Sequence, residues 1–207
     1  MNKALLLIFT RNPELGKVKT RLAATIGAEA ALKIYNFLLN HTFEITRDLT
    51  INKHVYYSET IWEDDIWQPS VYEKKLQSGD DLGDRMKNAF ERGFKDGYEK
   101  IVIIGSDIYD ISSKDIESAF EALDTKELVI GEAQDGGYYL LGMNQLYPEL
   151  FENKQWGTNT VFNDTVADFK DRSVFYLPMR NDIDLYEDLL EHEIFNPYTK
   201  ANEVKNQ

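Results

Sequence analysis

Arg11, Lys17, Lys19 and Arg21 fall within eleven positions, around Pro13 and Gly16, in the stretch FTRNPELGKVKTRL. Guanidinium and ammonium groups gathered this closely suit a phosphate chain. Four bases against the single acid Glu14 leave a local excess of three positive charges, inside a chain of formal net charge −13. One cation beside a phosphate oxygen gains roughly 1 kcal/mol in water and about 4 kcal/mol at an effective dielectric near 20, so several converging cations hold a di- or triphosphate firmly. Pro13 and Gly16 restrict the loop before anything binds, and Gly16 permits a positive φ or a close ligand approach. Thr20 is the expected N-cap of a following helix whose free N–H groups would face the same ligand. The competing use is a solvated loop that makes salt bridges to the acidic surface. Neither G-x-x-x-x-G-K-[ST] nor G-x-G-x-x-G occurs, which argues against P-loop kinases and dinucleotide-binding dehydrogenases.

The acids that would complement such a loop lie far along the chain. IVIIGSD places Asp107 where an aliphatic strand ends, and a hard carboxylate oxygen there suits magnesium or manganese, with phosphate oxygens and waters completing the shell. Turn formation or helix capping is the other use of Asp107, Asp110 and Ser112. NDIDLYEDL offers Asp182 and Asp184 on either side of Ile183, and either completes a metal site if the strand ends are neighbours. Asp184 would otherwise cap a helix, with Glu187 three residues on. In QDGGYYLLG, Asp135-Gly136-Gly137 is either a plain hairpin turn or a place where backbone passes close to a ligand, with Asp135 free for a sugar hydroxyl or an attacking group. His41, His54 and His192 are scattered and are read as packing residues, and neither a Ser-His-Asp set nor an H-E-x-x-H helix can be assembled.

The elements that must position these groups follow from apolar spacing. Ala4–Phe9 and Lys100–Gly105 are continuous aliphatic runs, as expected of strands covered on both faces. Ala30, Ile34, Phe37, Leu38, His41 and Ile45 form one helical stripe and predict a helix from about Glu29 to Asp48. Further helices are expected over Asp81–Phe94, Ser113–Leu123, Thr160–Phe169 and Asp184–Phe195, and further strands over Lys53–Ser58, on both sides of Asp135-Gly136-Gly137, and over Ser173–Pro178. Ile61–Ser70, acidic with two tryptophans, reads as a loop. Strands alternating with helices predict a three-layer α/β/α sandwich around a mixed, mostly parallel sheet, in one domain over 1–199 with a polar tail over 200–207.

In this order, FTRNPELGKVKTRLA, LQSGDDLGDRMKNAF, IGSDIYDIS, GEAQDGGYYLLG, WGTNTV and DIDLYEDL resemble the bacterial glycosyltransferases of the GT-A fold associated with radical-SAM and selenodomain proteins, some linked to arsenosugar biosynthesis. These are similar in turn to the molybdenum-cofactor and phospholactate nucleotidyltransferases. The matching segments run from about Leu5 to Leu189. The resemblance implies a Rossmann-like nucleotide-diphospho-sugar transferase fold. It implies phosphate binding by Arg11, Gly16, Lys19 and Arg21, a nucleotide-proximal segment containing Gln77, Gly79, Asp80 and Arg85, and metal binding by Asp107 with Asp184. It places Asp135, Gly136, Gly137, Trp156 and Thr158 on the side of the transferred group or acceptor. Ile108-Tyr109 stands where the family often has Cys-Pro, and Leu185-Tyr186 where Thr-Pro is frequent.

The expected activity is therefore metal-dependent transfer of a sugar from a nucleoside-diphosphate sugar to a small acceptor, with Lys19 and Arg21 stabilising charge on the diphosphate and Asp135 orienting or deprotonating the acceptor. Nucleotidyl transfer from an NTP, releasing pyrophosphate, uses the same residues. A noncatalytic nucleotide-binding module, docking partners through ETIWEDDIWQPSVYE, is the third reading. Net charge −13 argues against nucleic acid as a partner, and no window nears the roughly 20 apolar residues of a membrane span. With 43% hydrophobic residues and no cysteine, a soluble cytoplasmic protein is expected, free of disulfides and thiol chemistry.

Overall fold

Central strands that are apolar on both faces require cover from both sides, and the chain supplies it in three layers. The structure, a computed structural model, describes residues 3–203. The elements run β1 (Ala4–Thr10), α1 (Thr20–Ile26), α2 (Ala28–Thr46), β2 (Asn52–Tyr57), β3 (Glu73–Leu76), α3 (Leu82–Lys95), β4 (Lys100–Gly105), α4 (Ser113–Ala122), β5 (Leu128–Ala133), β6 (Tyr138–Met143), α5 (Val161–Ala167), β7 (Val174–Arg180), α6 (Tyr186–Leu190) and α7 (Asn196–Glu203). The seven strands form one sheet in the order β3-β2-β1-β4-β6-β5-β7. Pairing is parallel except where β6 runs against β4 and β5. The carboxyl ends of β1, β2, β3, β4, β5 and β7 therefore share one edge, where ligands of open α/β sheets sit.

Side chains alternate across the sheet with the strand period of two. Leu6, Ile8, Val102 and Ile104 pack under α2 and α4 with Tyr35, Leu39, Ile116 and Phe120. Leu5, Leu7, Ile101 and Ile103 pack under α3, with Met86, Ala89 and Phe90. A third cluster joins Leu22, Ala31, Ile34 and Leu38 to Ile183, Leu189 and Phe195, seating α1, α6 and the carboxyl-terminal segment on α2. Each fully buried aliphatic side chain contributes roughly 1.5–3 kcal/mol, so the strand pair β1–β4 anchors the fold. Asp81 caps α3 by accepting a bond from the Asp84 N–H, and Ser112 caps α4 in a reciprocal capping box with Asp115.

The structure departs from the sequence expectations, or adds to them, in five places. The buried face of α2 is wider than the expected stripe, taking in Ala31, Tyr35, Leu39 and Thr42, because the helix packs on the sheet and on the α1–α6–α7 group at once. β3, for which the apolar spacing gives no expectation, is an edge strand. The helix expected over Asp184–Phe195 breaks into α6 and a 3-10 turn over Glu193–Phe195, followed by α7. The polar tail expected from Lys200 begins inside α7, which reaches Glu203, while 204–207 lie outside the described residues. Trp67 is buried at 2% exposure and Trp62 packs against the same core, so the two tryptophans of ETIWEDDIWQPSVYE serve packing, while Glu59, Glu63, Asp64 and Glu73 remain exposed. Among the described residues no helix is long and apolar enough to cross a membrane.

Candidate functional site

The loop after β1 turns back through Gly16, at φ +76, and a Cβ there would meet nothing within 4 Å. Gly16 thus serves the turn, and no protein atom crowds it. The loop ends on Lys19, held at φ 47 and ψ 47 in the left-handed region that residues other than glycine uncommonly occupy. Lys19, not Thr20, stands at the N-cap, no side chain caps α1, and Thr20 is already inside the helix. The seven-residue helix is thus no anion site of its own; the cations act through their side chains.

These cations divide between two roles. Lys17 is exposed and pairs with Glu14 at 2.9 Å and Glu59 at 3.3 Å, as a solvated loop lysine would. The Lys19 ammonium, 5% exposed, lies 2.9 Å from Asp107 Oδ2 and 3.8 Å from Asp184 Oδ1. Arg21 Nη1 donates to Asp184 Oδ2 at 2.7 Å. The Arg11 guanidinium lines the same cavity, and its charge also acts on Asp107. Burial alone would push Lys19 down and Asp107 up, but their attraction is stronger: Lys19 stays above the ordinary lysine range and Asp107 below the carboxylate range.

Backbone pairing after β4 and β7 brings the distant acids here. Ile108 and Asp182 form an antiparallel bridge, and the Ile183 N–H donates to the Asp107 carbonyl at 3.3 Å. Ile183 is buried in the third core cluster, leaving Asp182 and Asp184 on the opposite side of this extended segment. Helix capping falls to Asp188, whose Oδ2 accepts from the Asp184 and Leu185 N–H groups, so neither Asp184 nor Glu187 serves as the expected cap. The Asp182 carboxylate has no hydrogen bond or ion pair among the described residues, and burial, with Asp107 nearby, pushes it up to about 6.

The segment after β3 frames the cavity from the other side. Gln77 donates to the Thr10 and Tyr56 carbonyls at 3.2 and 3.0 Å, and Arg85 Nε donates to the Gly79 carbonyl at 3.2 Å. Gln77 and Arg85 line the cavity, whereas Gly79 shapes the turn and exposed Asp80 lies off the lining. The cavity, about 600 Å³, is also bounded by residues that sequence reasoning missed. Tyr35 is one: its hydroxyl accepts from the Arg11 N–H at 2.9 Å and meets Ser106 Oγ at 3.2 Å and Thr10 Oγ1 at 3.3 Å. Asn12 is another, its carboxamide bonded to the Glu59 and Thr60 N–H groups and to the Thr60 carbonyl. Tyr35 sits on the apolar face of α2 and looks like a core residue; only the strand-end hydroxyls opposite it disclose the network.

A second cavity, about 200 Å³, adjoins the first, with Asp107 and Leu82 lining both. It holds Asp135, Gly137, Trp156, Thr158 and Asp182. Asp135 accepts from the Gly137 N–H at 2.8 Å, closing the β5–β6 turn. Gly136 lies at φ +87, and a Cβ there would meet the Asn159 carbonyl oxygen at 2.2 Å, so the turn admits only glycine. Trp156 packs over Gly83 at the start of α3 and meets the Tyr138 ring edge-on at 6.5 Å. Thr158 closes its own turn onto the Gln155 carbonyl.

Among the described residues no three acids or histidines stand together as a ready metal cage. The donor set nevertheless suits magnesium or manganese held by one or two carboxylates, Asp107 with Asp184 or with the unpartnered Asp182, the rest of the shell coming from phosphate oxygens and water.

Residues 42–158 match the profile of a family described as uncharacterized protein conserved in bacteria (DUF2064). No curated protein sequence matches the chain. A crystal structure from Desulfovibrio desulfuricans G20, provisionally assigned as a nucleotide-diphospho-sugar transferase, is 30% identical, with 100% of this chain and 96% of that one aligned at a TM-score of 0.86. A nucleotidyl transferase from Methanothermobacter is 14% identical, with 97% and 100% aligned at 0.64. A Mycobacterium tuberculosis H37Rv protein in complex with manganese is 11% identical, with 91% and 96% aligned at 0.57. The last two show the fold alone. The mixed, mostly parallel sheet is the Rossmann-like, GT-A-type fold of nucleotide-diphospho-sugar transferases.

Proposed function

The chain belongs to the DUF2064 family of bacterial proteins, and we propose that it is a divalent-cation-dependent glycosyltransferase that moves a sugar from a nucleoside-diphosphate sugar to a small acceptor. One observation carries the reading: a cationic cavity and an aromatic, acidic cavity meet at Asp107. The diphosphate fits the first, among Arg11, Lys19, Arg21 and Arg85, and the reacting groups fit the second, beside Asp135.

As the glycosidic bond breaks, negative charge grows on the diphosphate. Lys19 is held within reach of it by a strained backbone and by Asp107, so little reorganisation is needed when that charge appears. Arg21 adds a second donor, released from Asp184 as the ligand arrives. A magnesium or manganese ion on Asp107 and Asp184 would neutralise the same oxygens. Asp135 is placed to orient the acceptor hydroxyl and take its proton. Tyr35 and Gln77 fix the loop after β1 to the neighbouring strand ends.

The test is a product assay with NTPs and nucleotide sugars, with and without manganese. Metal-dependent release of an intact nucleoside diphosphate supports glycosyl transfer. Pyrophosphate release from an NTP would replace this reading with nucleotidyl transfer, which draws on the same cations. Nucleotide binding without turnover on any donor would leave a binding module. The same panel, with arsenosugar precursors among the acceptors, tests the link implied by the family resemblance.

A further inference from the structure

The two cavities differ in charge, and the difference constrains the acceptor. Arg11, Lys17, Lys19, Arg21 and Arg85 all line the larger one. Among the described residues the smaller one is lined by no lysine or arginine, only by Asp107, Asp135 and Asp182 together with Thr158 and aromatic and apolar groups, of which Trp156, Tyr138 and Tyr139 are the largest. The cations behind its walls are already engaged: the Lys19 ammonium by Asp107 and Asp184, and the Arg180 guanidinium by Asp115. Among the described residues the Tyr138 hydroxyl has only the Met86 sulfur, at 3.8 Å, as a partner, and as a neutral phenol it brings no charge.

In the metal-free protein an anionic group entering this space meets Asp135 and Asp182 with no cation bonded to either, while Lys19 offsets Asp107. Each such pair is unfavourable by roughly 1 kcal/mol at 4 Å in water and about 4 kcal/mol at an effective dielectric near 20. A neutral group avoids the penalty, and a cation over an aromatic face gains about 0.5–2 kcal/mol. We propose that the acceptor is a hydroxyl compound without phosphate or carboxylate, neutral or cationic, that lays its apolar or positively charged face on Trp156 and Tyr138 and turns its hydroxyl toward Asp135. The word acceptor rests on the transferase reading; the selectivity of the cavity does not. It also sets glycosyl transfer apart from nucleotidyl transfer onto a phosphorylated substrate, which this cavity would repel.

Three probes of similar size separate the terms: choline, its uncharged isostere 3,3-dimethyl-1-butanol, and 3-hydroxybutyrate. Each is titrated into the full chain without nucleotide, following tryptophan emission and, in parallel, calorimetric heat. Choline and the neutral alcohol are expected to bind, choline more tightly, and 3-hydroxybutyrate at least about tenfold more weakly than choline, the ratio of a 1.4 kcal/mol difference. Trp156→Phe should remove the emission change, since Trp62 and Trp67 belong to another part of the core. Asp135→Asn keeps the bond to Gly137 and should narrow the choline preference to less than about threefold, and Thr158→Lys should let 3-hydroxybutyrate bind. Equal or tighter binding of 3-hydroxybutyrate, or no heat and no emission change with choline, overturns the proposal. Failure of the transferase reading would register elsewhere, as absent nucleoside-diphosphate binding and absent product, leaving the probe ranking intact.

Discussion

The two ends of the sheet treat charge differently. At the amino ends, charged groups have local partners. Lys53, 6% exposed, donates to the Leu49 and Arg47 carbonyls, and Glu127 accepts from the Ser173 N–H and the Tyr147 hydroxyl, with Arg172 over the Tyr147 ring at 4.6 Å. At the carboxyl ends, Lys19 sits in a left-handed conformation, Asp182 has no partner among the described residues, and Asp107 joins two cavities of opposite character. A charge answered by nearby backbone is a fixture of the fold. Charges paired with one another at a cavity wall, one of them on left-handed backbone, are what the proposed ligand would meet.

The largest effect that can break this contrast comes from a pair of lysines. Lys19→Ala removes a preorganised donor facing the diphosphate, and losing one such donor typically costs about 10²–10³ in rate, so kcat/KM with a nucleotide sugar should fall by at least about a hundredfold. Lys53→Met should leave kcat/KM within about twofold and lower Tm by a few degrees, as expected of about 1 kcal/mol of lost hydrogen bonding. Equal losses of kcat/KM would erase the distinction between the two ends.

Next in size is a pH effect confined to the amino end. Burial, then the nearby Lys75, lowers His54 to about 4, while its Nδ1 is buried without a partner among the described residues and Nε2 faces Glu73 at 3.0 Å. The unfolded chain binds a proton near pH 6.5 where the folded one does not, so this contribution is full above about 6.5 and is lost as pH falls toward about 4. The loss reaches at most about 3 kcal/mol and should flatten in His54→Gln, measured by denaturant unfolding from pH 7 to pH 4. A change of kcat/KM in this variant at neutral pH would contradict a purely structural role.

Two smaller effects sharpen the site itself. Tyr35→Phe removes the bonds that tie Arg11 to Ser106 and should lower kcat/KM about tenfold while Tm moves only a few degrees, each hydrogen bond contributing roughly 0.5–1.5 kcal/mol. Lys17→Ala, at an exposed pair, should change kcat/KM by less than about twofold and leave Tm unmoved. A large loss in Lys17→Ala would return that lysine to the phosphate site.

Much of this was legible in the sequence where apolar spacing is strong. β1 and β4 stand out as aliphatic runs, α3 by its single apolar face, and the β5–β6 hairpin by Asp135-Gly136. β3 was not, because Glu73–Leu76 is a charged edge strand whose identity comes from backbone pairing with β2. The break of the last predicted helix was hidden because apolar residues continue through Phe195, and tertiary packing on α2 decides where each turn ends. In the site, Arg11, Lys19 and Asp107 followed from residue type and position. The docking of Asp182 and Asp184 depends on the Ile108–Asp182 bridge, and Lys17 and Lys19 have similar sequence surroundings but opposite burial. No pattern in one chain announces either.

Calorimetric titration of UDP, GDP, CDP and ADP into the protein, with and without manganese, bears most directly on the convergence of loop cations and strand-end carboxylates upon one diphosphate. The account predicts that at least one of them binds more tightly with manganese, that Lys19→Ala abolishes this binding, and that Asp107→Asn removes the manganese dependence while leaving metal-free binding. Binding of equal strength in all three proteins, with or without the metal, would contradict it.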